Sequence, residues 1–121
     1  MNYIQEFHRE KIHGWRTKVL TNILATAQLA RSGSGKFGGY FIYNTNSSVI
    51  YIQVYDAAAV ADVIVGTTTP IARYGIPATA GANLELDRGI RFDLGLVIAA
   101  TTTPTGSTAP TTGMEMTTYF L

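Results

Sequence analysis

From Val49 to Tyr55 the chain alternates: Ile50, Ile52 and Val54 fall on one side, and Tyr51, Gln53 and Tyr55 on the other. Successive side chains of a strand point to opposite faces, so this period of two predicts a strand with one face on a core. Residues 84–94 repeat the pattern. Leu84, Leu86, Ile90, Phe92 and Leu94 are expected to face in and Glu85, Asp87, Arg91 and Asp93 to face out, with a turn at Asp87-Arg88-Gly89. Tyr40-Phe41-Ile42-Tyr43 reads as a further strand, closed by the turn formers Asn44 to Ser48, and Met114 to Phe120 reads as the last one. Residues 17–31 fit two periods. Val19, Leu20, Ile23, Leu24 and Ala27 could line a helix, but the threonines and β-branched residues favour a strand, as does everything downstream.

Two stretches resemble each other, VIVGTTTP at 63–70 and VIAATTTP at 97–104. Each is expected to be a buried strand running into a threonine-rich exit. Two copies are too few for a solenoid, so they suggest equivalent strand ends in a two-sheet domain. Residues 101–113 follow without a single charge, a loop long enough to be functional or mobile. The expected fold is therefore all-β: a single β-sandwich or jelly-roll domain over 19–121, preceded by an extended N-terminal arm over 1–18.

Composition sharpens this picture at one point. Charged residues make up 14% of the 121, against about 25% in ordinary globular domains, while the hydrophobic share of 46% is normal. A weakly charged β body suits contact with other chains, and a homo-oligomer, a trimer in particular, is expected. There is no cysteine, which excludes disulfides and thiolate metal sites. The first residues lack the apolar core of a signal peptide, and no apolar run approaches the roughly 18 residues of a membrane-spanning helix. Synthesis in the cytoplasm and no membrane partner are the expectation.

Charge is unevenly placed. Residues 1–36 hold six cations against two acids, whereas 37–121 hold three cations against six acids. In the arm, Arg9, Lys11, Arg16 and Lys18 accompany Tyr3, Phe7 and Trp15, large apolar groups that a purely solvated tail would not need. These seven residues are the candidate partner-binding set. Tyr51, Gln53 and Tyr55, expected on an exposed sheet face, are a candidate oligomer or ligand surface.

The motifs that would carry catalysis fail on inspection. Gly33-Ser34-Gly35-Lys36 resembles a phosphate loop, but Ala30 stands where the first glycine belongs and Phe37 where Ser or Thr belongs. His8 is followed by Arg9 rather than Glu, and His13 is wrongly spaced for a zinc protease. Asp56, Asp62, Asp87 and Asp93 could supply paired carboxylates, yet the last two sit at out-facing positions beside Arg88 and Arg91. The arm's charge is modest and the body is acidic, which argues against nucleic acid. No catalytic residue, cofactor or metal is expected.

The stretch FGGYFIYNTNSSVIYIQVYDAA, then VGTTTP, GIPATAGANLEL, GIRFDLGLVIAATT and a final MTTYF, resembles small structural proteins of tailed bacteriophages. The resemblance spans Thr21 to Tyr119 and leaves out the arm. It implies a compact β domain of the kind that decorates or cements capsids. The implied partner is the major capsid protein, and the implied location is the capsid surface of the virion. A tail, baseplate or fibre module with a receptor- or glycan-binding role is the alternative, and an enzyme or host-directed regulator is the third.

Overall fold

A computed structural model describes residues 15–121. Tyr3, Phe7, Arg9 and Lys11 of the candidate set lie outside the described residues. Eight strands follow in order: β1 Arg16–Ile23, β2 Gln28–Ser32, β3 Gly35–Asn44, β4 Ile50–Asp56, β5 Ala72–Ile76, β6 Ala80–Phe92, β7 Gly95–Thr101 and β8 Met114–Phe120. One short 3-10 turn, Val60–Asp62, stands between β4 and β5. The ambiguous stretch 17–31 is strand on both sides of a break at 24–27, and its two halves enter different sheets.

The sheets run β1-β8-β3-β6 and β2-β7-β4-β5, antiparallel throughout. β1 pairs with β8, β2 with β7, β3 with β6 and β4 with β5, as in one long hairpin. Rolling that hairpin up adds the contacts of β3 with β8 and β4 with β7. This is the connectivity of a jelly roll, the two-sheet solution in which each sheet hides the apolar face of the other. Leu20, Ile42, Ile52, Ile98, Met116 and Phe120 meet between the sheets, together with Ile50 and Val54 on the expected inner side of β4.

Four expectations are corrected. Gln53 and Tyr55 do not lie on an open face; both are buried, because the segment 57–71 folds back over Tyr55 and β7 and the loop after β7 reaches Gln53. Val63 and Val65 of that segment pack onto Tyr55, Val97 and Ala99 in a second, smaller core. Residues 63–70 are therefore a cover and not a strand, and Ile64 points outward. The copy at 97–104 does contain a strand: β7 is buried along its whole length.

Asp87-Arg88-Gly89 does not end a strand. β6 runs through it as a wide bulge: Glu85 stands opposite Gly39 and Ile90 opposite Phe37, so 86–89 face Gly38 alone. Gly89, at φ +72°, supplies the left-handed backbone this needs. Leu94 is exposed because the β6–β7 connection begins at Asp93, ending the alternation one residue early.

β5 arises from residues whose sequence pattern was too short to register. β1 begins at Arg16, so Arg16 and Lys18 are part of the body's first strand.

Candidate functional site

The sheet β2-β7-β4-β5 is covered on one side by the other sheet and, over β7 and β4, on the other side by 57–71 and the loop after β7. Among the described residues, the sheet β1-β8-β3-β6 has a partner layer on one side only, and its outer side carries apolar groups. Along β3, Tyr40 and Ile42 point into the core, so alternation forces Phe41 and Tyr43 outward, where they are 54% and 52% exposed. Pairing sets them in rows across the sheet. Val19, Thr117, Phe41 and Asn83 form one row, and Thr17, Tyr119, Gly39 and Glu85 the next.

Trp15 extends this strip at the end where β1 begins. Its indole packs against Gly38 and Gly89, and a Cβ at Gly38 would clash with the six-membered ring. Two glycines and the bulge thus make a seat for one aromatic side chain on the chain's own body. Trp15 and Tyr119 line one shallow depression of this face beside Glu85, and Val19, Phe41 and Tyr43 line another beside Glu115. Tyr119 Oη donates to Asn83 Oδ1 at 3.4 Å, and Asn83 Nδ2 donates to Glu85 Oε2 at 3.3 Å.

Strand alternation separates residues that are adjacent in sequence. Trp15 sits on the outer face, while Lys18 turns toward the other sheet, where its Nζ donates to Leu29 O at 3.3 Å. Arg16 is exposed at the register position opposite Phe120. The three described members of the arm set therefore do not converge on one spot.

The trio on β4 has its own use. Tyr55 Oη donates to Gln53 Oε1, and Gln53 Nε2 donates to Thr101 Oγ1 at 2.7 Å and to Gly106 O at 3.2 Å. Thr101 Oγ1 passes the chain on to Thr103 O at 2.7 Å. Burial pushes the Tyr55 phenol above its ordinary value. These groups tie the 102–113 loop onto the sheet. Tyr51, half-buried, leans over Gly75. The far end of that loop is held by Asn46, whose side-chain amide bonds both Thr112 O at 3.0 Å and Thr112 N at 2.8 Å. The long neutral loop is fastened at both ends.

The carboxylates are likewise occupied or apart. Asp56 accepts from Asp93 N, Leu94 N and Gly95 N and so shapes the β6–β7 connection. Desolvation raises its pKa, but the three backbone donors outweigh that and hold it below the usual carboxylate range. Asp93 pairs with Arg91 at 2.8 Å on the exposed surface. Among the described residues, no three His, Cys, Asp or Glu side chains gather as a metal site. No helix among them is long and apolar enough to cross a membrane.

Val19, Phe41 and Tyr43 were not singled out by sequence reading. The signal was the solid run Tyr40-Phe41-Ile42-Tyr43, aromatic on both faces of one strand, which reads equally well as a doubly buried strand.

No protein-family model matches the chain, and no curated protein matches its sequence. Among solved structures it is similar to the crystal structure of PirA, at 14% sequence identity and a TM-score of 0.38, over 87% of this chain and 92% of that one.

Proposed function

We propose that this chain is a structural protein of a tailed-phage virion, a decoration or cement protein that binds the shell of major capsid protein and stabilises it. The sequence resemblance supplies the class of protein. The observation that carries the mode of action is the asymmetry between the two outer faces among the described residues: one is largely roofed by the chain itself, and the other presents Val19, Phe41 and Tyr43 exposed beside a half-buried Tyr119. Tyrosine and phenylalanine offer large contact area with few rotors to freeze, which makes such a strip effective against a rigid lattice. The body contributes stiffness and area; bond-making chemistry is not needed. The arm, with Tyr3, Phe7, Arg9 and Lys11, adds a second grip in this reading.

The test is co-sedimentation with shells assembled from the major capsid protein encoded in the same phage genome. The wild-type chain is expected to pellet with shells, and the double variant Phe41→Ala, Tyr43→Ala to remain in the supernatant at a temperature where both chains are fully folded. Undiminished binding of the double variant overturns the assignment of the face.

A second reading has its own observation. Glu115 and Asn83 lie beside the exposed rings of Phe41 and Tyr43, an arrangement of aromatic and polar groups that suits a glycan on a tail or fibre module. Labelling of intact virions with an antibody to this chain separates the two, since head or tail is marked directly.

A further inference from the structure

A sheet edge left with unpaired N–H and C=O groups is a template for another strand, and proteins usually guard such edges. Three of the four edges here are guarded. β1 and β2 close against each other: Gln28 Nε2 donates to Thr21 O at 2.8 Å, and Lys18 Nζ reaches Leu29 O. β5 is five residues long and ends at Pro77. β6 is different. It is thirteen residues long and, among the described residues, pairs with β3 alone.

Its second half is protected by Glu85, Asp87, Arg88, Arg91 and the bulge. Its first five residues, Ala80-Gly81-Ala82-Asn83-Leu84, hold no charge, no proline and no bulge.

We infer that Ala80–Leu84 is an interface, and that its occupant is the same segment of a second copy, running antiparallel about a two-fold axis at Ala82. Charge and size choose this register. Centring on Ala82 sets Ala80 against Leu84 and Gly81 against Asn83, so a residue without a side chain meets one with a bulky amide. It also keeps Glu85 away from its own copy, whereas centring on Glu85 would oppose two like charges directly. The outer faces then join across the seam. Tyr43 neighbours Gly81 in β3–β6 pairing, and Phe41 neighbours Asn83. One row therefore runs Tyr43, Gly81, the partner's Asn83, the partner's Phe41. The result is an eight-stranded sheet with a doubled aromatic surface, a two-fold pair rather than a three-fold ring. The inference does not depend on the virion reading.

The chain lacks cysteine, so a single introduced thiol can pair only with its own copy. Directly opposed residues of an antiparallel pair have Cα atoms about 4.5–5.5 Å apart, within disulfide range. In the full chain, Ala82→Cys is expected to form a covalent dimer under mild oxidation about tenfold or more faster than Val19→Cys, a control on the guarded edge, because pairing raises the effective thiol concentration. Equal rates overturn the inference, as does light scattering of the wild type that gives 13.1 kDa at high micromolar concentration. Ala82 packs partly against the core, so a second pair guards against a folding defect. Mixed Gly81→Cys and Asn83→Cys chains should cross-link to each other in preference to themselves. A Cβ at Gly81 meets only ordinary contacts, 3.6 Å from Tyr43 Cδ2. Failure of that preference overturns the register and the interface together.

Discussion

Trp15 is where a residue on the margin of the fold has two competing uses, as an anchor for a partner and as packing for its own sheet. Its seat on Gly38 and Gly89 gives the second use a structural basis. Trp15→Ala is expected to cost about 1–2 kcal/mol, roughly half the hydrophobic value of a fully buried aromatic, because the indole is only half-buried. Gly38→Ala should cost at least as much by evicting the same ring, although no partner-facing group is changed. Thermal melts of the two variants check this; a Trp15→Ala protein that melts as wild type shows that the seat contributes nothing to stability. Tyr40 illustrates burial acting on chemistry. Desolvation, and then the neighbouring Tyr74, raise its phenol to about 12, so it stays neutral in the core at any physiological pH.

At the scale of elements, connections in this fold are held by side chains rather than by their own backbones. Asn44 is fully buried and donates to Ser48 O, Ile76 O and Pro77 O while its Oδ1 accepts from Asn46. Asn46 in turn clamps Thr112. Asn44→Ala strands several buried backbone groups and is expected to destabilise the whole domain by about 2–3 kcal/mol in urea unfolding. Asn46→Ala should act locally, raising amide exchange and proteolysis within 102–113 with a smaller effect on the global midpoint. Equal global losses for the two would mean that the loop is not a separate unit. The β6–β7 connection adds a pH dependence of definite sign. The Asp56 pKa is lowered in the folded state, so its contribution is present above the unfolded value of about 3.9 and disappears as pH falls through the folded one. Urea midpoints should therefore fall with pH in that acid window, and Asp56→Asn should flatten the fall.

Seen whole, the molecule is a sandwich with one dressed and one bare outer face. Phe41→Ala with Tyr43→Ala removes two half-exposed rings and the Tyr43 Oη bond to Thr79 O, but no core contact. The expected outcome is a folded protein with a modestly lowered melting temperature and attachment to capsid shells lost at temperatures well below that melt. Attachment per folded molecule equal to wild type would mean that the strip is structural. The acidic border of Glu85 and Glu115 makes a further point. Attachment through this face should weaken only mildly with salt, since apolar area rather than ion pairing drives it, and co-sedimentation across a salt series measures this.

The two-residue period of 49–55 was sufficient to place Ile50, Ile52 and Val54 in the core, and the β-rich composition was sufficient for an all-β sandwich. Both follow from local rules, because a strand's alternation is written into successive residues. Which of two alternating faces meets water is not local. Tyr51, Gln53 and Tyr55 read as an outer face and are one, but 57–71 roofs Tyr55 and the 102–113 loop reaches Gln53, and only the closed structure brings Val63, Val65 and Gly106 there. The run Tyr40 to Tyr43 reads only as a strand, with neither face assigned; Phe41 and Tyr43 turn out to be half-exposed, because among the described residues no segment crosses β3 at their positions. The bulge at 86–89 reads as a turn for the same reason: what marks it as a bulge is pairing with β3, where Glu85 and Ile90 stand opposite Gly39 and Phe37, far away in sequence. Local periodicity sets what a segment can become; contacts between distant segments decide which face is covered and which is left for a partner.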